Sequence, residues 1–137
     1  MNEIAIHLRL LYLFQHNLHN TVSRIAFFSD HEYLSGAYEE SLDAYDGVIE
    51  RMIGKDMNPD LVMIQVMAVE KLKKLPSATK DNTEAFNILL ALEQELCQLI
   101  EKYVIEKKPM QGCLQLIGDI ANASEVRIYK LKRRTLK

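Results

Sequence analysis

Turn-forming residues are scarce in this chain of 137 residues, which contains five glycines and three prolines. A β-sandwich or barrel normally uses more of them, so their scarcity favours long helices with few connections. Cysteine is also rare, because Cys97 and Cys113 stand alone without C-x-x-C spacing. This pattern does not support a disulfide framework or a structural zinc site, and it fits a reduced, cytoplasmic environment.

Long apolar runs and a strong net charge are missing as well. No run approaches the roughly 20 residues of a membrane span, and the first residues lack a signal-peptide pattern, so we expect a cytoplasmic protein. Seventeen basic and nineteen acidic residues leave a net charge of -2, which provides no global attraction for nucleic acid or anionic membranes. With 48% apolar and 26% charged residues, the composition is that of a single packed domain over residues 1–137.

Apolar residues recur at three- and four-residue spacing, the period of an amphipathic α-helix, along most of the chain. Ser29 and Glu32 have the spacing of a capping box that would open the second helix, and Gly54 is placed to end it. Asn58-Pro59 is typical of a helix start, here of a shorter helix. The predicted helices cover residues 3–24, 30–54, 61–75, 81–107 and 110–134.

The lengths of the connections predict how these helices pack. Short connections within the first pair and the last pair of long helices imply antiparallel neighbours, and a long crossover carrying the short helix separates the pairs. Asp81 and Glu84 have capping-box spacing at the end of this crossover. We expect an all-α fold, a four-helix bundle with one long crossover, which is the ferritin-like arrangement. Glu-x-x-His pairs, which hold iron inside the bundles of di-iron proteins, are absent, and this disfavours an interior metal centre.

Ligand-type side chains concentrate in the first two predicted helices. All four histidines fall within the first 31 residues, and His19 and His31 flank the turn between the helices at nearly equal distances. An antiparallel hairpin would place these two histidines at the same end of the bundle, on facing helices. Asp46 and Glu50 lie one turn apart on the second helix, so their carboxylates project side by side, as a cation site requires.

The separation of His31 and Asp46 bears on how a site could form. They are fifteen residues apart, roughly 22 Å along a helix, so they cannot share a metal within one chain. Two copies crossing antiparallel about a two-fold axis near Tyr38 would bring His31 of one copy to Asp46 of the other, and would form the site twice. At roughly 100° per residue, Asp46 is expected at the edge of the apolar stripe rather than on the open solvent face.

The spacing His19-x11-His31-x14-Asp46-x3-Glu50 resembles that of the Dps family of mini-ferritins. This resemblance implies an iron site between two-fold-related subunits, with His19 and His31 from one chain and Asp46 and Glu50 from the other as metal ligands. It also implies a ferroxidase that oxidises Fe²⁺ with peroxide or dioxygen, and a dodecameric homo-oligomer that stores iron and protects against oxidative stress. Zn²⁺ is the expected substitute for iron at such a site.

The chain departs from the Dps pattern at Ser35 and Asn20, where the family usually has aspartate and tryptophan. We also find no lysine-rich segment ahead of the first predicted helix, the segment with which some members bind DNA. Loss of a carboxylate at Ser35 would weaken the second iron position. The alternative function is therefore a ferritin-like assembly that has lost full ferroxidase activity and acts as a structural or interaction protein, with or without DNA.

A dense basic run closes the last predicted helix, and two histidines remain outside the predicted site. The basic residues are Lys130, Lys132, Arg133, Arg134 and Lys137. We favour the interpretation that they complement the negative end of the helix macrodipole, and the alternative is that they bind DNA phosphates. His7 and His16 are interpreted as structural or solvated.

Overall fold

The computed structural model describes residues 1–76 and 82–136, and within those ranges it contains α-helices and no β-strand. The prediction of an all-α fold is confirmed. The N-terminal residue of the predicted fourth helix, Asp81, lies outside the described residues. The helices are α1 (Asn2–Thr21), α2 (Phe27–Gly54), α3 (Leu61–Lys74), α4 (Asn82–Lys107) and α5 (Gln111–Arg134).

Two helical hairpins build the bundle. α1 packs mainly on α2, and α4 packs mainly on α5, while α1 also contacts α4 and α2 also contacts α5. The start of α2 and the end of α5 meet at one end of the bundle, where Asp30 and Arg134 form an ion pair. α3 packs on α1 from outside the four-helix core. This is the predicted bundle with a crossover that carries a short helix.

The hydrophobic core runs along one face of each long helix. In α1 the residues Ile4, Leu8 and Leu11 are fully or almost fully buried, and their spacing of four and three is that of a helix face that meets its neighbours. Leu34 and Met52 occupy the same kind of position near the two ends of α2. The core therefore extends over the length of the bundle and holds both ends of α2 in place.

The predicted capping box at the start of α2 is wrong. α2 begins at Phe27, with Ala26 at its N-cap and no side chain capping it. Ser29 already lies in the first turn, where its hydroxyl donates a hydrogen bond to the carbonyl of Ala26 at 3.1 Å. The tight turn explains this, because Arg24 adopts a positive φ of 75° and its carbonyl accepts from the backbone N–H of Phe27. α1 accordingly ends at Thr21, three residues before the predicted end.

Of two further helix signals, Gly54 ends α2 as predicted, although without the positive φ of a C′ glycine, whereas the start of α3 was assigned to the wrong residue. Gly54 is the last residue of α2, and among the described residues no glycine has a positive φ. The chain reverses at Asp56 and Asn58, which have φ values of 57° and 46°. The N-cap of α3 is Asp60 rather than Asn58, because its carboxylate accepts a hydrogen bond from the backbone N–H of Met63 at 2.9 Å. Asp60 is thus the capping residue that α3 requires.

Candidate metal site

His19 and His31 lie together where α1 turns into α2. Their ring centroids are 3.8 Å apart, with 31° between the ring planes. His19 belongs to the last turn of α1 and His31 to the second turn of α2, and both side chains are half-buried. The short connection places them on facing helices at the same end of the bundle, as the spacing predicted.

Aromatic rings surround this histidine pair along the groove between α1 and α2. The ring of Tyr38 lies 5.2 Å from His19 and 4.7 Å from His16, centroid to centroid. Tyr12 stacks on His16 at 5.6 Å, so His16 belongs to the packed wall of the groove. Such tilted and stacked contacts restrict the orientation of each ring. The neighbouring aromatic rings therefore restrict the orientation of the histidine pair.

Asn20 provides a polar neighbour for the first histidine. Its side-chain oxygen lies 3.3 Å from Nδ1 of His19. Donation from Nδ1–H to this oxygen would leave the lone pair of Nε2 available to a metal ion, which is how a second hydrogen bond fixes the tautomer of a ligating histidine. Asn20, which stands where the Dps pattern usually has tryptophan, therefore has a polar role beside His19.

Asp46 and Glu50 project from the other half of α2, far from the histidine pair. Both side chains are exposed, so the expectation that Asp46 borders the apolar stripe is wrong. The stripe passes through half-buried Tyr45 and buried Ile49, and Asp46 falls outside it. The distance from His31 along α2 is roughly 22 Å. Over residues 1–76 and 82–136, no group of three or more histidine, cysteine or acidic side chains is gathered for a metal ion within one chain.

Ser35 lies one turn after His31 on α2 and is half-buried. A hydroxyl at this place can donate or accept a hydrogen bond, but it carries no charge with which to balance a cation. The position beside the histidine pair therefore has one anionic ligand fewer than the Dps pattern supplies.

A buried polar network in the bundle interior was missed by the sequence analysis. Glu93 of α4 is fully buried, and Arg127 of α5 is 4% exposed. The signal was present, because Leu89, Glu93 and Leu96 share one helical stripe. A charged residue at a core position of an amphipathic helix predicts a buried partner on a neighbouring helix.

Each oxygen of the Glu93 carboxylate accepts two hydrogen bonds from side chains. Its Oε1 accepts from Nε of Arg127 at 2.6 Å and from the amide of Gln15 at 3.3 Å. Its Oε2 accepts from the hydroxyl of Ser124 at 2.6 Å and from the guanidinium of Arg127 at 3.1 Å. The same guanidinium donates to Glu40 at 2.7 Å. Burial would lower the pKa of Arg127, but its hydrogen bonds to Glu93 and Glu40 outweigh burial and raise the pKa.

His7 has a structural role, as one of the two interpretations from the sequence, structural or solvated, stated. The side chain is 2% exposed, and its Nε2 lies 2.7 Å from the carbonyl oxygen of Leu92. Burial lowers the pKa of His7, so the neutral ring donates Nε2–H to this carbonyl and ties α1 to α4.

In the basic run at the end of α5, one residue forms an ion pair within the bundle and the other described residues are exposed. Arg134 forms two hydrogen bonds to the carboxylate of Asp30, at 2.9 and 3.0 Å, and its guanidinium lies over the ring of Phe86. Lys130, Lys132 and Arg133 are exposed. Lys137 lies outside the described residues. Arg134 thus joins α5 to α2 instead of extending into solvent.

The comparison with protein families identifies the class of this protein. The profile of the ferritin-like domain family matches residues 1–106, a range that contains His19, His31, Asp46 and Glu50. The chain therefore belongs to the ferritin-like domain family. A comparison with curated proteins gives no match. In the described part of the chain, no helix combines the length and apolar character of a membrane span.

Proposed function

We propose that this ferritin-like protein is of the Dps type, binding Fe²⁺ between two subunits, oxidising it and storing the product. The observation that carries the proposal is the arrangement of α2: a histidine pair with ring centroids 3.8 Å apart at one end, and two exposed carboxylates at the other. Each half is an incomplete ligand set. An antiparallel partner would complete both.

A two-fold pairing of α2 helices explains why the ligands are separated. Tyr38 lies close to the midpoint between His31 and Asp46 in the sequence. If two α2 helices cross near this tyrosine, each histidine pair meets the partner's carboxylates, and an isologous contact forms two equal sites. Asp46 and Glu50 are exposed in the single chain because, in this arrangement, their counterparts belong to the other subunit.

The outer face of α3 supplies apolar surface for such an assembly. Ile64 and Ala68 form the buried inner face of α3, whereas Val62 is 74% and Val66 53% exposed. Burying exposed apolar area stabilises an interface by about 25 cal/mol per Å². Methionines on the same face adapt their shape to a partner surface. They are Met63 and Met67. Assembly into a dodecamer is the further step that the Dps resemblance implies.

The donor set suits Fe²⁺ as substrate. His19 would bind through imidazole nitrogen, and Asp46 and Glu50 would neutralise the charge of the ion, a mixture of nitrogen and oxygen ligands that also accepts Zn²⁺. His31 would serve as an outer ligand or as a ligand of a second ion. Two ferrous ions would supply the two electrons that, with two protons from solvent, reduce one hydrogen peroxide to two waters, and the ferric product would then be stored as mineral.

An anaerobic Fe²⁺ titration, followed by addition of peroxide, tests this function. We expect the double variant His19→Ala, Glu50→Ala to lose both the bound Fe²⁺ and the rapid appearance of ferric absorbance. Glu101→Ala removes an exposed carboxylate of α4 outside the site and is expected to behave like the wild type. Equal binding and oxidation by the wild type and the double variant would contradict the proposal.

Ser35 favours a second candidate function, a ferritin-like assembly without full ferroxidase activity. With one carboxylate fewer, the site would retain one metal ion, iron or Zn²⁺, and the assembly would act as a structural or interaction protein. Metal analysis of protein purified without chelator, together with the peroxide assay, separates the two candidates, because only the ferroxidase consumes Fe²⁺ and peroxide together.

A further inference from the structure

One polar cluster joins all four long helices: its members from α1, α4 and α5 are buried, and its member from α2, Glu40, lies at the surface with a 60% exposed side chain. Gln15 comes from α1, Glu40 from α2, Glu93 from α4, and Ser124 with Arg127 from α5. Their contacts centre on one guanidinium group and two carboxylates. No other part of the described chain joins the four helices through polar side chains in this way.

Inward carboxylates from the four helices are what di-iron proteins of this architecture use to hold cations in the bundle. In this chain the place between the buried carboxylate of Glu93 and the exposed carboxylate of Glu40 is filled by Arg127. Its guanidinium donates to Glu93 at 2.6 Å and to Glu40 at 2.7 Å. A divalent cation among these oxygens would meet the positive charge of Arg127 at close range, so the interior residues as they stand do not fit a metal.

We infer that Arg127 is a tethered cation that occupies an interior cation site and confines metal binding to the surface of the protein. The guanidinium balances the buried charge of Glu93, which would otherwise be very costly in the core. The planar guanidinium presents two donors to the Glu93 carboxylate in a fixed geometry, so it balances this buried charge better than a mobile ion would. The ferritin-like interior is thereby closed to iron by the chain's own side chain.

The ligands around the guanidinium indicate which ion would replace it. Gln15 is fully buried, and its side-chain oxygen has no hydrogen-bond partner, while its amide nitrogen donates to Glu93. With the hydroxyl of Ser124 and the carboxylate of Glu93, which are also buried, and the exposed carboxylate of Glu40, this oxygen forms an all-oxygen set. Hard divalent cations such as Mn²⁺ prefer such ligands. The interior site therefore differs in chemistry from the histidine-containing surface site.

Removal of Arg127 in a background without the surface site tests this inference. The background carries His19→Ala and Glu50→Ala, so the result does not depend on the proposed ferroxidase. We expect Arg127→Ala to lower the melting temperature, and excess Mn²⁺ to recover roughly 5 °C or more of it. Binding of Mn²⁺ is followed in parallel by the loss of the free-ion signal in electron paramagnetic resonance. The parent background is expected to show neither effect.

Matched variants separate cation binding from general stabilisation. Arg134→Ala breaks the ion pair with Asp30 but leaves a single carboxylate, so Mn²⁺ should recover little of its stability. Arg127→Lys keeps a tethered positive charge and should not respond to Mn²⁺. If Arg127→Ala does not fold alone, circular dichroism after refolding with and without Mn²⁺ gives the same readout. The inference is overturned if Mn²⁺ helps Arg127→Ala no more than Arg134→Ala, or if the parent binds Mn²⁺ and loses that binding on Glu93→Gln.

Discussion

Asp30 and Arg134, which are 104 residues apart in the chain, join the first turn of α2 to the last turn of α5 through two hydrogen bonds. The Asp30 side chain is 5% exposed and that of Arg134 is 32% exposed. The carboxylate depends on this guanidinium for its charge balance, and the pair closes the end of the bundle next to the histidines.

Loss of this ion pair should weaken the fold. We expect Arg134→Met to reduce the free energy of unfolding by about 1–3 kcal/mol, because a buried carboxylate loses its partner at a partly solvated site. Urea denaturation followed by circular dichroism measures the change. Lys132→Met, on the exposed side of the same helix, should change it by less than about 0.5 kcal/mol. Equal effects of the two substitutions would show that the pair does not stabilise the bundle.

Stability should decrease in mild acid because of His7. Burial lowers its pKa below the ordinary value of 6.5, so below that pH the unfolded chain binds a proton that the folded chain does not. The contribution of His7 is therefore fully present above pH 6.5 and is lost as the pH falls. Urea midpoints between pH 7.5 and 5.5 should decline more steeply for the wild type than for His7→Gln. Parallel curves for the two proteins would contradict this assignment.

Charged substitutions on the outer face of α3 should disrupt assembly. We expect the wild type to be oligomeric in analytical ultracentrifugation, and Val62→Lys with Val66→Lys to shift it towards monomer, because charge at an apolar interface core is disfavoured. Glu101→Lys, an exposed change on α4 away from the outer face of α3, should leave the oligomer intact. A wild type that is a stable monomer at micromolar concentration would remove the basis for a site shared by two chains.

Restoring a carboxylate beside His31 should increase activity. Ser35→Asp adds a negative charge one turn from the histidine pair, where it can help hold a second iron ion. We expect faster oxidation of Fe²⁺ by peroxide than in the wild type, measured as initial ferric absorbance. Ser35→Asn, of similar size but uncharged, is the control. If both variants oxidise Fe²⁺ at the wild-type rate, a missing charge at Ser35 does not limit the reaction.

DNA binding is expected to be absent or very weak. The net charge is -2, and Arg134 is engaged by Asp30, so the exposed cations of α5 must supply any attraction for phosphates. A gel shift at low salt should show no complex. A complex that weakens with added salt and disappears in Lys130→Ala, Lys132→Ala, Arg133→Ala would instead assign these residues to phosphate contacts.

Local patterns along the chain were sufficient to predict the helices and one half of the candidate site, the pair of His19 and His31. Helical periodicity and short connections depend on neighbouring residues, so the sequence predicted the bundle and brought His19 and His31 together across one turn. Helix starts were less predictable: Ser29 and Asn58 each match a capping signal, but the backbone of the adjoining turns makes Ala26 and Asp60 the N-caps, whereas α2 ends at Gly54 as predicted.

Contacts between distant helices were decided only by the tertiary structure. The exposure of Asp46, the ion pair of Asp30 and Arg134, and the pairing of Glu93 with Arg127 depend on how four helices rotate and slide against one another. Periodicity gives the face of a helix but not which residue of another helix will meet it. The sequence by itself therefore determined the helices and the apolar stripe along each of them. The packed bundle determined that Glu93 is buried and that its charge is balanced by Arg127, because only close packing selects a partner at hydrogen-bond distance.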